Sequence, residues 1–329
     1  MSTPEVTVIM VPRERYSGIQ AAIASLYENT ADIPFKLVYV DGGLPARVKA
    51  MVEQEAASRG FSFIHKEHPL TPNEARNIGL QQADTEFVVF SDNDVLFTPN
   101  WLELLLAAAR EYDAWLVGPT ILDGDPETGK IHAAAGNSGF QEVDGKKRYK
   151  FVPGHMQQHL DVVKDDLKRG PTTMLEFHVL LARRDVFEKI GPLDERVSSF
   201  GDHDDLVHQV LNAGGPVIFE PASIVAYHDP GTNIHVLEQG DLPMYFLRWS
   251  DAWNFGSIER AAEKWNLDPE DPWVEHAKHW VRVRRSRALS LCGPTGKLVG
   301  FTMYKVNKPL GEKLEQILCD RITRPLKTQ

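Results

Sequence analysis

Two acidic residues with a single residue between them stand at the end of a short apolar run. Asp92 and Asp94 follow the strand-like residues 86–90 almost directly. Carboxylates that leave a buried strand into a loop suit a hard divalent cation, which also accepts phosphate oxygens and would neutralise a diphosphate leaving group. Asp94 could instead form a turn ahead of the helix predicted from Trp101, because Asx turns after strands are common. Residues 92–94 taken alone therefore predict either a metal site or a turn.

A third carboxylate ends an earlier apolar run. Asp41 follows residues 35–40 and precedes Gly42 and Gly43. Because ligands collect at the carboxyl ends of strands in an open α/β sheet, Asp41 and the Asp92 segment are expected to face one crevice. Asp41 could also simply close the turn that the two glycines complete, a role that aspartate often has.

The pattern of apolar residues predicts the elements that position these carboxylates. The first 120 residues alternate between short apolar runs and helical spacings, as in a parallel sheet built from strand–helix units. Strands are predicted at residues 6–11, 35–40, 61–64, 86–90, 114–122, 175–181, 217–219 and 224–227, with a hairpin around 144–145. Helices are predicted at residues 19–26, 45–60, from 71, 101–110, 185–190 and 204–212. Thr71, Pro72 and Glu74 form a capping-box pattern.

In this order, several segments resemble the family 2 glycosyltransferases of the GT-A fold. The segments that carry the resemblance are residues 6–15, 40–42, 74–80, 90–94, 180–187 and 191–195. The resemblance covers roughly residues 6–230 and implies an α/β fold with a mostly parallel central sheet flanked by helices. It implies a catalytic domain over 1–240, with a nucleotide-sugar half at about 1–123 and an acceptor half at about 124–240. Residues 241–329 are then expected to form a helical, basic C-terminal extension.

The resemblance also implies a donor pocket for a nucleoside diphosphate sugar, UDP- or GDP-linked. The residues that it assigns to this pocket are Val11, Pro12, Arg13, Asp41, Arg76, Asn77, Asp92 and Asn93. Asp41 would accept a hydrogen bond from the nucleotide base, and Val11 to Arg13 would wall the base pocket. Arg76 would line the pocket near the sugar or the phosphates, which guanidinium groups bind well. Arg76 could also pair structurally with Glu74 or Asp92.

A metal centre follows from the same resemblance. Asp92, Asp94 and His228 would hold Mn²⁺ or Mg²⁺, with Asp94 the closer ligand. His228 comes directly after the strand predicted at residues 224–227. Imidazole suits Mn²⁺ better than Mg²⁺. A histidine after a strand is also a common loop residue, so its assignment depends on this context.

The expected catalytic base is where the chain departs from the family pattern. The family commonly has an acidic pair, one further residue, and then Asp-Leu at the start of a helix. Here Asp202 and His203 stand in place of the pair, and Asp205 is the final acid. An inverting transfer needs a group that takes the proton of the acceptor hydroxyl, and Asp202 is the first choice for it. His203 is the second, since its ordinary pKa suits the task near neutral pH.

Other interpretations of residues 202–205 and of the reaction stay open. The transfer could retain the configuration of the sugar. The negative charges at residues 202–205 could merely favour a helix N-terminus. A catalytically degenerate module that binds sugar nucleotides or glycans is kept open by the altered Asp202–His203 pair. A nucleotidyltransferase would normally show a glycine-rich basic loop after the first strand, which residues 12–15 do not form.

Other motifs that could form a functional site are either absent or not assigned to the catalytic centre. The chain has no phosphate-loop or dinucleotide-binding glycine motif, which argues against a nucleoside triphosphatase or a nicotinamide enzyme. His155 and His159 have the spacing of a helical metal pair but no third ligand, so surface or acceptor contacts are expected. The tryptophans at 249, 253, 265, 273 and 280 could stack on sugar rings but are expected to pack the C-terminal helices.

Charge and composition limit which partners and which location are expected. Residues 278–329 contain twelve Lys or Arg and three Asp or Glu, in a chain with a net charge of -10. This segment predicts either peripheral contact with an anionic membrane surface or a solvated helical face. The acceptor is expected to be a glycan, a lipid-linked sugar or another hydroxyl compound, and no nucleic-acid partner is expected. No membrane-spanning run or N-terminal leader is recognisable and the two cysteines fit reduced thiols, so a cytoplasmic location is expected.

Overall fold

The computed structural model describes residues 4–30 and 33–327. Residues 1–3 lie outside the described residues. They belong to the N-terminal segment in which a leader would be recognised. The strands are β1 Val6–Val11, β2 Phe35–Gly42, β3 Ser62–Lys66, β4 Phe87–Asp92, β5 Leu96–Phe97, β6 Leu116–Asp123, β7 Lys130–Ala133, β8 Gly136–Val143, β9 Lys146–Pro153, β10 Gly170–Pro171, β11 Val179–Arg183 and β12 Val217–Tyr227. The helices are α1 Ile19–Glu28, α2 Ala46–Arg59, α3 Pro72–Leu80, α4 Trp101–Glu111, α5 Leu160–Val163, α6 Val186–Ile190, α7 Asp202–Asn212, α8 Leu242–Arg248, α9 Asp251–Trp265, α10 Pro272–Ala288, α11 Gly293–Phe301 and α12 Lys308–Lys327.

The central sheet is mixed, with a parallel half around β1. Its main order is β10-β12-β6-β11-β4-β1-β2-β3. β1, β2, β3 and β4 run parallel, whereas β11 is antiparallel to both β4 and β6. β1, β4 and most of β2 are buried, as expected for strands covered by helices on both faces. This arrangement confirms the predicted α/β class and places the carboxyl ends of β2, β1 and β4 side by side.

Local sequence explains how α3 reaches this edge of the sheet. The Thr71 hydroxyl accepts from the Glu74 backbone, and the Glu74 side chain accepts from the Thr71 backbone, which confirms the predicted capping box. Gly79 packs directly on β1, since a Cβ at this position would lie 2.2 Å from the Ile9 Cγ2. Only glycine allows α3 to lie so close to the sheet. The capping box and this contact together fix the helix that carries Arg76.

Three predicted strands differ from the structure. The strand predicted at 175–181 begins only at Val179, because residues 175 and 176 are irregular and the chain turns at 177–178 before it enters the sheet. The strands predicted at 217–219 and 224–227 are one strand, β12, with an irregularity between Glu220 and Ile224. The hairpin predicted at 144–145 is confirmed by the pairing of β8 with β9.

The C-terminal helices pack against the first-strand loop and the start of α7. Arg248 pairs with Glu14 at 2.5 Å, and Arg284 makes a two-pronged pair with Asp229 at 2.6 and 2.9 Å. The Ser257 hydroxyl donates to the carbonyl of Phe200. These buried contacts join residues 241–327 to the strand ends. The division at residue 240 therefore stays a proposal about organisation.

The predicted tryptophan packing is seen for the most buried members. Trp249 and Trp265 are each 5% exposed and belong to apolar clusters. Trp265 lies against Tyr149 of the hairpin, with ring centroids 5.0 Å apart. Among the described residues, no helix is long and apolar enough to cross a bilayer.

Candidate active site

Asn93 holds the three strand ends in register. Its backbone N–H donates to the carbonyl of Val11 at 3.1 Å. Its side-chain carbonyl accepts from the backbone N–H of Arg13 at 3.0 Å, and its side-chain amide donates to the Tyr39 hydroxyl at 3.1 Å. Asn93, predicted to belong to the donor pocket, is thus fully engaged within the protein. It sets the position of Asp92 and Asp94 on either side.

Asp94 is a buried carboxylate without a hydrogen-bond partner. It is 3% exposed, and neither of its oxygens receives a hydrogen bond within the described structure. Burial raises the pKa of Asp94 to about 7, against the opposing positive charge of Arg15. Gly18 packs over it so closely that a Cβ there would lie 2.7 Å from the Asp94 Cβ. Buried charges are normally paired or bound to metal, so these free oxygens suit a cation.

Asp92 lies between two guanidinium groups. The Arg13 Nε is 3.2 Å from one Asp92 oxygen, and the Arg76 Nη2 is 3.5 Å from the other. Neither contact is aligned as a hydrogen bond, so both oxygens keep free lone pairs. Asp92 is completely buried. This carboxylate can therefore bind a cation while the two arginines stay close enough to bind phosphate oxygens.

Arg76 connects Asp92 with the predicted catalytic residue. It is 0% exposed, its Nη1 donates to Asp202 at 2.6 Å and to the Asn73 side chain at 2.9 Å, and its guanidinium lies 3.6 Å from the centre of the Phe177 ring. The pairing with Asp92 that the sequence left open is present, together with a pair across 126 residues. Arg76 thereby contacts the two carboxylates through different nitrogens of one guanidinium group.

We expect Arg76→Met to lower the free energy of unfolding by about 3–5 kcal/mol, because it leaves Asp92 and Asp202 buried without their shared cation. Urea denaturation at neutral pH measures this change. The matched control is Arg59→Met, since Arg59 is paired with Glu55 on the surface of α2 and is expected to contribute at most about 0.5 kcal/mol. Equal losses in the two variants would contradict the central role of Arg76.

The remaining residues predicted for the donor pocket lie either at the strand ends or against the loop before α7. Asp41 is fully buried, burial raises its pKa well above the ordinary range, and it receives a hydrogen bond from the Gly42 N–H. Asn77 instead directs its amide to Leu193 and Glu195, and its carbonyl accepts from the Leu193 N–H. These bonds make Asn77 a residue that positions the loop before α7. Val11 and Pro12 are buried beside these strand ends.

The three predicted metal ligands, Asp92, Asp94 and His228, do not form a compact group of ligand atoms among the described residues. Among the described residues, the one group of three metal-binding side chains with ligand atoms within 4.8 Å of one another is His132, Glu176 and His178. That group does not include Asp94 or His228. His228 is half-buried, and its backbone carbonyl accepts from the Arg15 Nη1 at 3.2 Å. The assignment of His228 as a metal ligand stays a prediction.

The predicted catalytic pair lies at the start of α7 and is strongly polarised. Burial opposes the charge on Asp202, but Arg76 and His203 outweigh it and hold the Asp202 pKa well below its usual range. For His203, burial is outweighed by Asp204, Asp202 and Glu176, which raise its pKa to about 9. At neutral pH Asp202 is therefore a carboxylate and His203 an imidazolium. Of these two side chains, only Asp202 then lacks a proton.

Asp205 has a separate, structural role. One of its oxygens accepts from the Lys264 ammonium at 2.6 Å, and the other accepts from the Trp265 indole N–H at 3.1 Å. These contacts fasten α7 to α9. The acids of the first turn of α7 thus have different partners, which a common helix-end role for all of them does not explain.

Sequence reasoning missed several residues that line this site. Arg248 is 2% exposed, and burial together with the nearby Arg13 lowers its pKa to about 10. His178 also lies near Asp92, with its Nε2 4.0 Å from an Asp92 oxygen, and its Nδ1 is 3.0 Å from Glu176. The alternating pattern of Leu175 to Leu181 was interpreted as a strand. That same alternation could have indicated that Glu176 and His178 share one side of the segment.

Comparisons with known proteins bear on the whole arrangement. The family model described as glycosyl transferase family 2 matches residues 7–191. A pre-mycofactocin glycosyltransferase of Mycobacterium tuberculosis is 26% identical over 233 residues, which are 70% of this chain and 44% of that protein. The chain therefore spans less than half the length of this curated relative.

Two solved structures share the fold. The crystal structure of GalNAc-T7 with UDP, GalNAc and Mn²⁺ superposes with a TM-score of 0.53 at 17% identity, covering 85% of this chain and 54% of that one. The mannosyltransferase PcManGT from Pyrobaculum calidifontis, in complex with GDP-Man and Mn²⁺, gives a TM-score of 0.50 at 14% identity, covering 98% of this chain and 87% of that one. These similarities agree with the architecture predicted from the sequence.

Proposed function

Because the chain belongs to glycosyl transferase family 2, we propose that it transfers a sugar from a nucleoside diphosphate sugar to an acceptor hydroxyl with the help of a divalent cation. The observation that carries this proposal is the pair of unpartnered, buried oxygens on Asp94 at the end of β4. Two structural neighbours bind UDP or GDP-Man together with Mn²⁺, which supports the same chemistry for this fold.

The donor is proposed to lie across the ends of β2, β1 and β4. Asp92 and Asp94 would hold Mn²⁺ or Mg²⁺, with His228 as a further ligand, and the ion would supply charge neutralisation for the departing diphosphate. Arg13 and Arg76 lie on either side of Asp92 and can bind phosphate oxygens. UDP- and GDP-linked sugars are both kept as donor classes.

Asp202 is proposed as the general base of an inverting transfer. As the acceptor oxygen forms its bond to the anomeric carbon and the bond from that carbon to the phosphate oxygen breaks, the hydroxyl proton moves to the Asp202 carboxylate. Arg76 orients this carboxylate, and His203 lies with its Nδ1 3.4 Å from it. The proton NMR spectrum of the fresh product, which reports the anomeric configuration, distinguishes inversion from retention.

The pH dependence of transfer is expected to separate Asp202 from His203. With Asp202 as the base, kcat/KM should stay level from neutral pH through the region near pH 9 in which His203 loses its proton, because the Asp202 carboxylate is ionised throughout this range. With His203 as the base, kcat/KM should instead rise towards pH 9. A pH–rate profile of the wild type, compared with His203→Gln, measures this difference. A rising limb that disappears in His203→Gln would overturn the assignment of Asp202.

The acceptor side of the proposal includes contact with an anionic lipid surface. We define the C-terminal apolar surface as the exposed residues Leu298, Phe301, Tyr304, Val306, Leu310 and Ile317. Four lysines are interspersed in the same segment, at 297, 305, 308 and 313. Apolar side chains among lysines suit the boundary of an anionic membrane, where each lysine contributes about 1 kcal/mol.

We expect salt-sensitive co-sedimentation of the protein with vesicles of phosphatidylcholine and phosphatidylglycerol. Replacing Phe301 and Tyr304 together by serine should lower the bound fraction several-fold, because it removes the largest side chains of the C-terminal apolar surface. Val162→Ser is the matched control, since Val162 is 73% exposed but lies on α5. An unchanged bound fraction in the double variant would remove the membrane from the proposal.

The activity is tested by measuring nucleotide release from a panel of UDP- and GDP-sugars with Mn²⁺. Release with at least one donor, stimulated by an acceptor, is the expected result. Binding of sugar nucleotides without any turnover would instead favour the degenerate binding module. The wild-type protein is sufficient for this screen, and the donor that it identifies serves for the variants below.

A further inference from the structure

A compact cluster of two imidazoles and one carboxylate lies next to the strand ends but outside the donor residues described above. The Glu176 Oε2 is 3.2 Å from the His132 Nε2 and 3.0 Å from the His178 Nδ1. His132 comes from β7, whereas Glu176 and His178 come from the turn before β11. These two distances match the separation of neighbouring ligands around one ion with bonds of about 2.0–2.2 Å.

The outer nitrogens of the two imidazoles point to oxygen atoms. The His132 Nδ1 is 3.0 Å from the Tyr227 hydroxyl, and the His178 Nε2 is 4.0 Å from an Asp92 oxygen. The Tyr227 ring also lies against the His178 ring, with centroids 4.2 Å apart. A hydroxyl at this distance can orient an imidazole ring that binds a metal, whereas the His178 Nε2 is too far from Asp92 for a hydrogen bond. The Tyr227 hydroxyl also lies 3.2 Å from the His132 Nε2, the nitrogen that faces Glu176.

The cluster is largely buried, and the His132 side chain is its most exposed member at 14%. His178 is 4% exposed and Glu176 is 9% exposed, and the His178 Nε2 is buried without a hydrogen-bond partner. A buried group of this polarity is normally satisfied by hydrogen bonds or by a bound ion. Glu176 alone cannot satisfy both nitrogens of each ring.

We propose that His132, Glu176 and His178 form a second cation site, which binds a divalent transition-metal ion and is best suited to Zn²⁺. Two imidazoles and one carboxylate are a ligand set that proteins use for zinc, with a fourth position open to water. The ion would fasten β7 to the turn before β11 and place His178 against Asp92. The site is distinct from the centre at Asp92 and Asp94, and its occupancy does not depend on a sugar nucleotide.

The test is metal binding by the full chain, measured without a sugar donor. Metal-free protein is titrated with Zn²⁺, and with Co²⁺ because tetrahedral Co²⁺ absorbs visible light. The expected result is one tightly bound equivalent with a visible Co²⁺ band that excess Mn²⁺ and UDP do not remove. A wild type that binds neither Zn²⁺ nor Co²⁺ overturns the proposal and identifies the cluster as a set of hydrogen-bonded ion pairs.

Variants assign the site to these residues. Glu176→Gln is expected to abolish the bound equivalent, and Tyr227→Phe to weaken Zn²⁺ binding by about 10-fold through loss of the outer contact to His132. Asp94→Asn and His276→Gln, an exposed histidine on α10, should keep the equivalent. Loss of the bound ion in Asp94→Asn, with retention in a folded Glu176→Gln, would overturn the proposal. The spectrum of the wild type decides the matter even if Glu176→Gln fails to fold.

Discussion

Replacing Asp94 with asparagine is expected to lower the rate of sugar transfer by about 1,000-fold or more while the fold stays intact. The cation held by this carboxylate is worth several kcal/mol to the departing diphosphate, and about 4 kcal/mol corresponds to 1,000-fold. Asparagine has nearly the same shape and keeps one oxygen, so packing under Gly18 should not change. Nucleotide release under saturating Mn²⁺ and donor measures the effect.

The stability of the same variant gives an independent check. Burial raises the pKa of Asp94 to about 7, far above the ordinary value of an aspartate. In the metal-free protein this charge therefore destabilises the fold above about pH 7, and the cost disappears as the pH falls towards 4. Asp94→Asn should leave the free energy of unfolding at about pH 8 unchanged or higher. Asp144→Asn, at the exposed hairpin turn, is the matched control and should change neither activity nor stability. A large loss of stability in Asp94→Asn would indicate a structural role instead.

The second large effect is expected for Asp202→Asn, which should lower kcat by about 100- to 10,000-fold with little change in the KM for the donor. The amide cannot take the acceptor proton, whereas Arg76 still has Asp92 beside it. Steady-state kinetics with the donor identified by the screen separate the two parameters.

Asp205→Asn is the control for this experiment. Asp205 lies on the same turn of α7 and is equally buried, but it binds Lys264 and Trp265. Its replacement should lower stability and leave kcat within a few-fold of the wild type. If the two variants lose kcat to the same extent, the first turn of α7 acts only through the position of the helix and Asp202 is not the base.

Local sequence predicted the elements that place the site. The apolar runs ending at Asp41 and Asp92 predicted strand ends that face one crevice, because buried parallel strands leave a nearly continuous apolar signal. The capping box at Thr71 predicted the start of α3 for the same kind of local reason. The family pattern predicted the acidic residues at the start of α7, but it did not predict that these residues contact different partners.

Contacts between distant segments could not be predicted in this way. Arg76 and Asp202 are far apart in the chain, and nothing in the spacing around either residue indicates their pairing. The pair of Glu14 with Arg248 likewise depends on how α8 packs against the loop after β1. The alternation of side chains in residues 175–181 is the same whether this segment forms a strand or only an extended stretch that leads into one. The sequence therefore did not predict the turn that follows Glu176.

The most direct test of the account is nucleotide release by the wild type before and after removal of divalent cations with EDTA. We expect release from the preferred donor to fall to background after chelation and to return when Mn²⁺ is added, while Asp94→Asn stays at background in both conditions. Transfer that continues at the same rate in EDTA, or that is unaffected in Asp94→Asn, would contradict a cation-dependent transfer centred on Asp92 and Asp94.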